Sequence, residues 1–488
     1  MVKRISPLTR IEGHLKVEVD VSGGRVKSAR VCGEMYRGFE NLLVGRHPLD
    51  AQRITQRVCG VCHEVHGIAS SKALAELYRV EPPPNGRLLK DIILALHMAI
   101  DHILHFFQLA LPDYVDFKAI TAYRGKDPRL LGLKSWVASQ RPYLFTKRVP
   151  GDYISEPSVA LDLLAAYVEA FDKLSLGASA LAVFGGKAPF AHTVFPGGVS
   201  VELTMDRIAK VSQIVDELLA FVETKHLPCA VEVAKRYREY FRIGHGYMNL
   251  LSYGGFEAAG EPLYRPGVMI DGRFYPLDVD AIVEDVSHSY YDGSALDFRH
   301  GETRPHFGKK GAYSWVKAPR YKGHPMETGP ISRVLVTEKT RREFLRFLKD
   351  EFGVGMKEAF STNGRNLARA FEARLLLMYV NRALSKLDPK GSTIVTVDAG
   401  LKVTGSGLGL SNAARGELLH YVEAENGRIT RYQMVVPSTW NFSPRDSKGQ
   451  PGPVEKALEG TPVRFSEGLI EVGRVIRSYD PCTACSIH

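Results

Sequence analysis

The chain has 488 residues, of which 44% are hydrophobic and 24% charged, and its formal net charge is +10. That composition excludes a disordered tail, a collagen-like fibre and a disulfide-stapled miniprotein. Six cysteines in this length argue against a disulfide framework. The positive charge is spread, with one modest run at Lys339-Thr340-Arg341-Arg342, so no nucleic-acid partner is expected; a solvated face or an acidic partner accounts for it.

In chain order, the amino terminus lacks the apolar core of a secretory signal. Taken alone it reads as cytoplasmic, unless a partner carries an export signal for both. Leu15, Val17, Val19 and Val21 alternate with polar residues, Ser22-Gly23-Gly24 turns the chain, and Val26 to Cys32 returns, which predicts a hairpin. Leu49 to Tyr78 has helical periodicity interrupted by Cys59-Gly60-Val61-Cys62, and Pro82-Pro83-Pro84 breaks it. A long helix is predicted from about Arg87 to Leu111, ended by Pro112. It is apolar, but Lys90, Asp91, His97, Asp101, His102 and His105 within it argue for a core helix, and nothing reaches roughly 18 uninterrupted apolar residues. Further helix is predicted over Ser158–Phe184, Met205–Arg242 and Lys339–Leu387, with irregular chain and short strands over Tyr247–Val334. Glu417–Glu423 and Arg428–Val436 flank Asn426-Gly427, a pair that accepts the positive φ of a tight turn, so a second hairpin is expected. With no repeat and no linker, residues 1–488 are expected to form one intertwined body: an N-terminal hairpin (14–32), a helical core (about 49–387) and a C-terminal strand-and-turn region (388–488).

Four of the six cysteines form two C-x-x-C pairs, Cys59/Cys62 and Cys482/Cys485; Cys32 and Cys229 read as small buried hydrophobes. Two pairs supply four sulfur ligands to a soft or borderline metal. A structural zinc site organises a local loop, however, whereas these pairs lie 423 residues apart. A dithiol redox site needs only one pair. The spacing favours a central metal site without naming the metal.

The motifs Arg57-x-Cys-x-x-Cys-x-x-x-His66 and Asp480-Pro-Cys-x-x-Cys-x-x-His488 resemble the paired signatures of the nickel–iron hydrogenase large subunit. Thr9-Arg10-Ile11-Glu12-Gly13-His14, Arg37-Gly38-Phe39-Glu40, Asp101-His102-x-x-His105, Pro196-Gly197-Gly198 and Ala414-Arg415-Gly416 extend the resemblance over the whole chain, in the family's order. It implies an α+β, mainly helical fold with a central bundle of long helices and peripheral antiparallel β hairpins. It also implies reversible cleavage of H2 to protons and electrons. By similarity, Cys59 and Cys482 would be terminal nickel ligands, and Cys62 and Cys485 would bridge nickel to an iron carrying one CO and two cyanides. Cys482 would receive the proton and Glu12 relay it outward. The local alternative for Glu12 is an ion pair with Arg10 or a cap on the hairpin. Arg415 would lie over the metals, held by Asp101 and Asp480; the alternative is a structural ion pair. Ser438 would hydrogen-bond a cyanide, with Arg415 bonding the other, and His66 would donate to a bridging sulfur. Glu40, His488 and the backbone carbonyl of Met434 match a Mg²⁺ site. Val61 and Leu109 match the narrow end of a gas channel. The family removes a carboxy-terminal extension after the histidine matched by His488, which implies a mature form. The chain departs from the family pattern at Ala414, where proline is usual, and at Phe190, where histidine is common.

With four cysteines committed to the metals, two remain, and an iron–sulfur cubane needs about four thiolates. Electrons are therefore expected to leave through an iron–sulfur small subunit, with a further membrane cytochrome or quinone-linked subunit. That partner would carry the export signal, giving a membrane-associated, extracytoplasmic enzyme of the H2-uptake respiratory type, with a cytoplasmic location as the alternative. Two other functions compete: an H2 sensor with little turnover, and a metal-free structural or redox relative, against which retention of all four cysteines argues.

Overall fold

The structure, a computed structural model, describes residues 1–139 and 149–488. Helix dominates, at 45% against 19% strand. The N-terminal hairpin is present as β2 (Leu15–Ser22) and β3 (Arg25–Gly33), with an additional edge strand, β1 (Val2–Ile5), paired antiparallel to β2. Leu15, Val17 and Val19 point inward, so the alternation marks the buried face. The first helical region splits into Asp50–Thr55, a 3₁₀ turn Gln56–Val58, and α1 (His63–Leu77), with the first cysteine pair in the gap.

The long helix α2 (Pro84–Leu104) begins at a proline, whose missing N–H costs nothing in the first turn. It continues as a π segment, His105–Ala110, and a 3₁₀ turn, Leu111–Asp113. Residues Pro84–Asp113 are long and apolar enough to cross a membrane by length and composition, but 78% of the apolar window is buried within the fold. It packs against α3 (Pro157–Gly185), which in turn packs on α4 (Met205–Phe221). The predicted helix 205–242 changes to π geometry at Val222–His226, resumes as Leu227–Arg236, and ends in a 3₁₀ turn, Arg238–Phe241.

The helix predicted over Lys339–Leu387 is three helices. After α5 (Pro330–Val336), Glu338–Phe352 ends at Gly353 with φ 67°, and Met356–Ala359 precedes α6 (Thr362–Leu384). Helix α6 packs along α2 and forms the centre of the bundle. Small antiparallel sheets lie outside it. One contains β4 (Gly405–Ala413), β5 (Gly416–Glu425) and β6 (Arg428–Val435) in sequential order; Asn426 and Gly427 turn between β5 and β6 with φ 51° and 77°, as their sequence demands. Strand β4 lies directly on α1: a Cβ at Gly409 would meet the carbonyl oxygen of Ala69 at 2.0 Å. The region beyond 388 holds this sheet and also four helices, Pro437–Asn441, Pro453–Leu458, α7 (Ile470–Ser478) and α8 (Thr483–Ser486). These are short, and α7 has charged residues buried with its apolar ones, so hydropathy hides them. Helix Pro128–Ala138 likewise lay outside the expectation.

Candidate metal centre

The two C-x-x-C loops each precede a helix: Cys62 caps α1 and Cys482 caps α8. In the first loop the amides of Val61 and Cys62 both donate to Cys59 Sγ at 3.3 Å. All four cysteines are free and buried, and their sulfurs lie within 4.8 Å of one another. Cys59 and Cys482 are 3.4 Å apart, Cys62 and Cys485 2.9 Å, and Cys482 and Cys485 2.9 Å. Burial pushes the Cys62, Cys482 and Cys485 thiols up. At Cys59 burial is outweighed by hydrogen bonds from the other three sulfurs, and its thiol falls well below the usual range. Four sulfur donors converging away from water fit soft, thiophilic metals such as nickel and iron, whose positive charge would offset four adjacent thiolates.

Two connections fix the loops to each other. Arg37 donates to the carbonyls of Val58, just before Cys59, and Ala484, just before Cys485 (the latter at 2.9 Å), and to that of Arg57 at 3.3 Å. This role went unread in the sequence, although Arg37 opens a quoted motif. Glu12 forms a parallel bridge with Cys482: its amide donates to Pro481 O at 3.2 Å, and its carbonyl accepts from Thr483 N at 2.8 Å and Thr483 Oγ1 at 2.9 Å. Gly13, at φ 86°, lies so close to the second loop that a Cβ would meet Ala484 N at 2.4 Å.

Burial, reinforced by the charge at Cys59 and opposed by Arg415, raises the half-buried Glu12 carboxyl. Arg10 does not pair with Glu12; it turns to Asp113 and to the carbonyl of Leu109, at 2.7 Å for the latter. Arg415 Nη1 donates to Asp101 Oδ2 at 2.8 Å, and Nη2 lies 3.1 Å from Asp480 Oδ1. Burial pushes Asp101 up to about 6 against the guanidinium, with Asp480 adding to the rise. Asp480 is lowered because Arg415 and neighbouring cations outweigh burial. One guanidinium thus serves two buried carboxylates. The second ion pair is not aligned as a hydrogen bond, and among the described residues Arg415 Nε and Nη2 and both Asp480 oxygens lack hydrogen-bond partners.

A cavity beside the sulfurs is walled by Val65, Ala413, Leu418 and Pro437 and reached by Arg415 and Ser438. Ser438 Oγ also accepts from the Cys482 amide at 3.0 Å. His66 lines the same cavity, but its Nδ1 faces His420 Nε2 at 3.1 Å, and His420 continues to Tyr432 at 2.8 Å. Burial lowers His66 to about 4, which keeps it neutral.

Glu40, Met434 and His488 also come together. Glu40 Oε1 accepts from the Met434 amide at 2.8 Å and lies 3.2 Å from His488 Nε2. The Met434 contact is through its amide. Lys317 lies 2.9 Å from Glu40 and 3.2 Å from Glu284, all three buried. Glu40 and Glu284 share the one Lys317 ammonium, and beyond that ion pair neither Glu284 oxygen has a hydrogen-bond partner among the described residues, so hard oxygen donors are present for a cation. Phe190, the departure from histidine, lies 4.0 Å beneath the Arg57 guanidinium. Cys32 is buried in β3, whereas Cys229 is partly exposed.

The family model described as nickel-dependent hydrogenase matches residues 37–488, and one described as HoxL-like matches residues 4–32. The chain is 35% identical to the periplasmic [NiFeSe] hydrogenase large subunit of Desulfomicrobium baculatum, covering 99% of this chain and 94% of that protein. It is 32% identical to the hydrogenase-2 large chain of Escherichia coli K12, covering 99% and 96%. Among solved structures, the Dm. baculatum [NiFeSe]-hydrogenase superposes over 100% of both chains with a TM-score of 0.89 at 34% identity. The Ni-Fe-Se hydrogenase of D. vulgaris Hildenborough does so over 100% of both with a TM-score of 0.88 at 34% identity. Whereas those names include selenium, all four clustered positions here are cysteine. Matched over nearly its whole length, with four sulfurs gathered from both ends, the chain belongs to the nickel-dependent hydrogenase family.

Proposed function

We propose that this chain is the catalytic large subunit of an H2-uptake hydrogenase, catalysing H2 ⇌ 2H⁺ + 2e⁻. The convergence of four buried sulfurs carries the reading. A nickel–iron centre supplies a soft, redox-active site at which H2 can be split. Cys59 and Cys482 would be terminal on nickel, and Cys62 and Cys485 would be shared with iron. Were the iron to carry one CO and two cyanides, Arg415 and Ser438 at the cavity beside the sulfurs would offer hydrogen bonds to the cyanides, and Val65, Ala413, Leu418 and Pro437 would supply apolar surroundings for the CO. His66 keeps the cysteine helix in register through its His420 contact.

Cys482 Sγ is the first proton acceptor and the Glu12 carboxylate the second. The bridge between their backbones brings the carboxylate to the sulfur pocket, and its raised affinity suits it to accept and release protons. Arg415 sets a fixed positive charge at the cavity, held by Asp101 and Asp480. Glu40 and His488, with Met434, would hold Mg²⁺ and fasten the end of the second cysteine loop.

Electrons leave through an iron–sulfur small subunit, because only Cys32 and Cys229 remain here and a cubane needs about four thiolates. A membrane cytochrome or quinone-linked subunit would accept them, with the complex on the extracytoplasmic side, as one relative's periplasmic name suggests. The chain is read as one body because strands and helices from both ends interlock at the metal site.

Infrared spectroscopy, with nickel and iron quantified on the same purified complex, tests the reading. Three bands from metal-bound CO and cyanide, with nickel and non-cluster iron in equal amounts, are expected. Zinc without such bands would refute it.

A further inference from the structure

Helix α6 carries Arg365, Arg369 and Glu372 at spacings of four and three, on one face. Their exposures are only 2, 3 and 0%. Burying such a charged stripe is costly unless its members are met; Arg365 and Glu372 have charged partners, whereas Arg369 has a carbonyl and its Nε lacks a hydrogen-bond partner among the described residues. Arg365 donates to Glu327 at 2.6 and 3.0 Å and lies 3.8 Å over the ring of Tyr479. Arg369 donates to the carbonyl of Ser478 at 3.0 Å. Glu372 accepts from Arg333 Nε at 2.7 Å and Nη2 at 2.6 Å, and lies 2.8 Å from His102 Nε2. Arg333, on α5, extends its remaining nitrogen to Glu417 at 3.3 Å.

Apart from Glu327, the partners outside this network are chain neighbours of the Arg415 triad. Ser478 and Tyr479 immediately precede Asp480. His102 follows Asp101. Glu417 lies two residues beyond Arg415, at the start of β5. Arg365 and Arg369 of α6 therefore hold the segment before Asp480, Glu372 holds the residue after Asp101, and Arg333 of α5 holds the start of β5 beyond Arg415.

We propose that this face of α6, together with Arg333, is the positioning element that sets the Arg415 guanidinium between Asp101 and Asp480. Arg333 and Glu372 are positioning residues, since beyond their own ion pair they reach the triad's neighbours Glu417 and His102. The two-pronged Arg333–Glu372 pair fixes angle as well as distance. Helix α2, through His102, and strand β5, through Glu417, are both referred to it. Buried ion pairs contribute little net stability, so geometry is the property such a network can supply. The inference rests on the reading of Arg415 given above.

The test uses the holoenzyme with Glu372→Gln, which keeps the shape and removes the charge. Expected are wild-type nickel and iron contents, an unchanged KM for H2, shifted infrared bands, and a kcat lower by about tenfold to a hundredfold, the scale on which misplaced groups act. Because Glu372 acts through Arg415, the same substitution placed on Arg415→Lys should cost less than about twofold more. Wild-type kcat and bands in Glu372→Gln, or its full loss repeated on top of Arg415→Lys, would overturn the proposal. Should Arg415→Lys itself turn over normally with its metals, the reading of Arg415 fails; should it be slow while Glu372→Gln is not, only the positioning element fails. If Glu372→Gln does not load metal, His102→Gln decides, since it releases α2 and leaves the Arg333–Glu372 pair intact. The same pattern at smaller size supports positioning, and failure of that variant to load metal overturns it in favour of a role in folding.

Discussion

Replacing Arg37 with alanine should separate the two cysteine loops. The side chain makes two part-buried, charge-assisted bonds, to the carbonyls of Val58 and Ala484, and one exposed bond to Arg57. At about 1.5 kcal/mol for each part-buried bond, the low end for a charged donor, the loss is about 3 kcal/mol; the exposed bond adds little. The larger consequence is geometric. Among the described residues no other side chain bonds both Val58 and Ala484, so the sulfurs of the two pairs lose a shared reference. Arg37→Ala should therefore lower both the unfolding midpoint, by calorimetry, and the nickel bound per chain. Arg37→Lys should fall between it and the wild type, because both loop carbonyls accept from the one nitrogen Nη1, which a lysine ammonium can replace only on a more flexible stem and without the Arg57 bond. An Arg37→Ala protein with wild-type nickel and an unchanged midpoint would refute the reasoning.

Glu12→Gln should leave nickel and iron in place and abolish H/D exchange; wild-type exchange would remove Glu12 from proton transfer. Gly13→Ala places a Cβ 2.4 Å from Ala484 N on a backbone at φ 86°, and should cost about 2–5 kcal/mol and reduce metal loading; unchanged stability would show that the second loop yields freely. Burial pushes Glu455 up to about 7 from its usual 4.5, against hydrogen bonds from Val31 N and Tyr313. The folded chain thus holds a proton the unfolded chain releases, so this stabilisation is full below about 4.5 and is lost as pH rises to about 7. Melting midpoints across that window should fall for the wild type and fall less for Glu455→Gln; identical slopes would refute the assignment.

Sequence patterns found the elements whose two faces differ. Strand β2 alternates because one face is buried, and the Asn426-Gly427 turn is dictated by its own backbone. Helix α2 was legible because it is long and apolar, although its π continuation changes the register of Leu109 without a compositional mark. Patterns failed where charge goes inward. Helix α6 is buried nearly all round, including Arg365, Arg369 and Glu372, so neither its break from Glu338–Phe352 nor its stripe has a hydropathy signature. The cysteine pairs announced a metal site by their distance apart. Arg37 and Thr483 act through backbone carbonyls at that site, and hydrogen bonds to the main chain leave no spacing rule to read.

The bridge between Glu12 and Cys482 also governs when the pocket can exist. The contacts that close it span 468 residues between Thr9 and Arg477 and 471 between Glu12 and Thr483. Until residue 482 is added, the chain presents only Cys59 and Cys62 of the four clustered thiols. Loop-closure entropy rises only slowly with length, so the clasp need not be costly once the chain is whole. It makes both ends of the chain a condition for the four-sulfur set, since either end alone brings two of the four sulfurs. The union of the two ends therefore ties the four-sulfur pocket to contacts that form only after the second cysteine pair has been added.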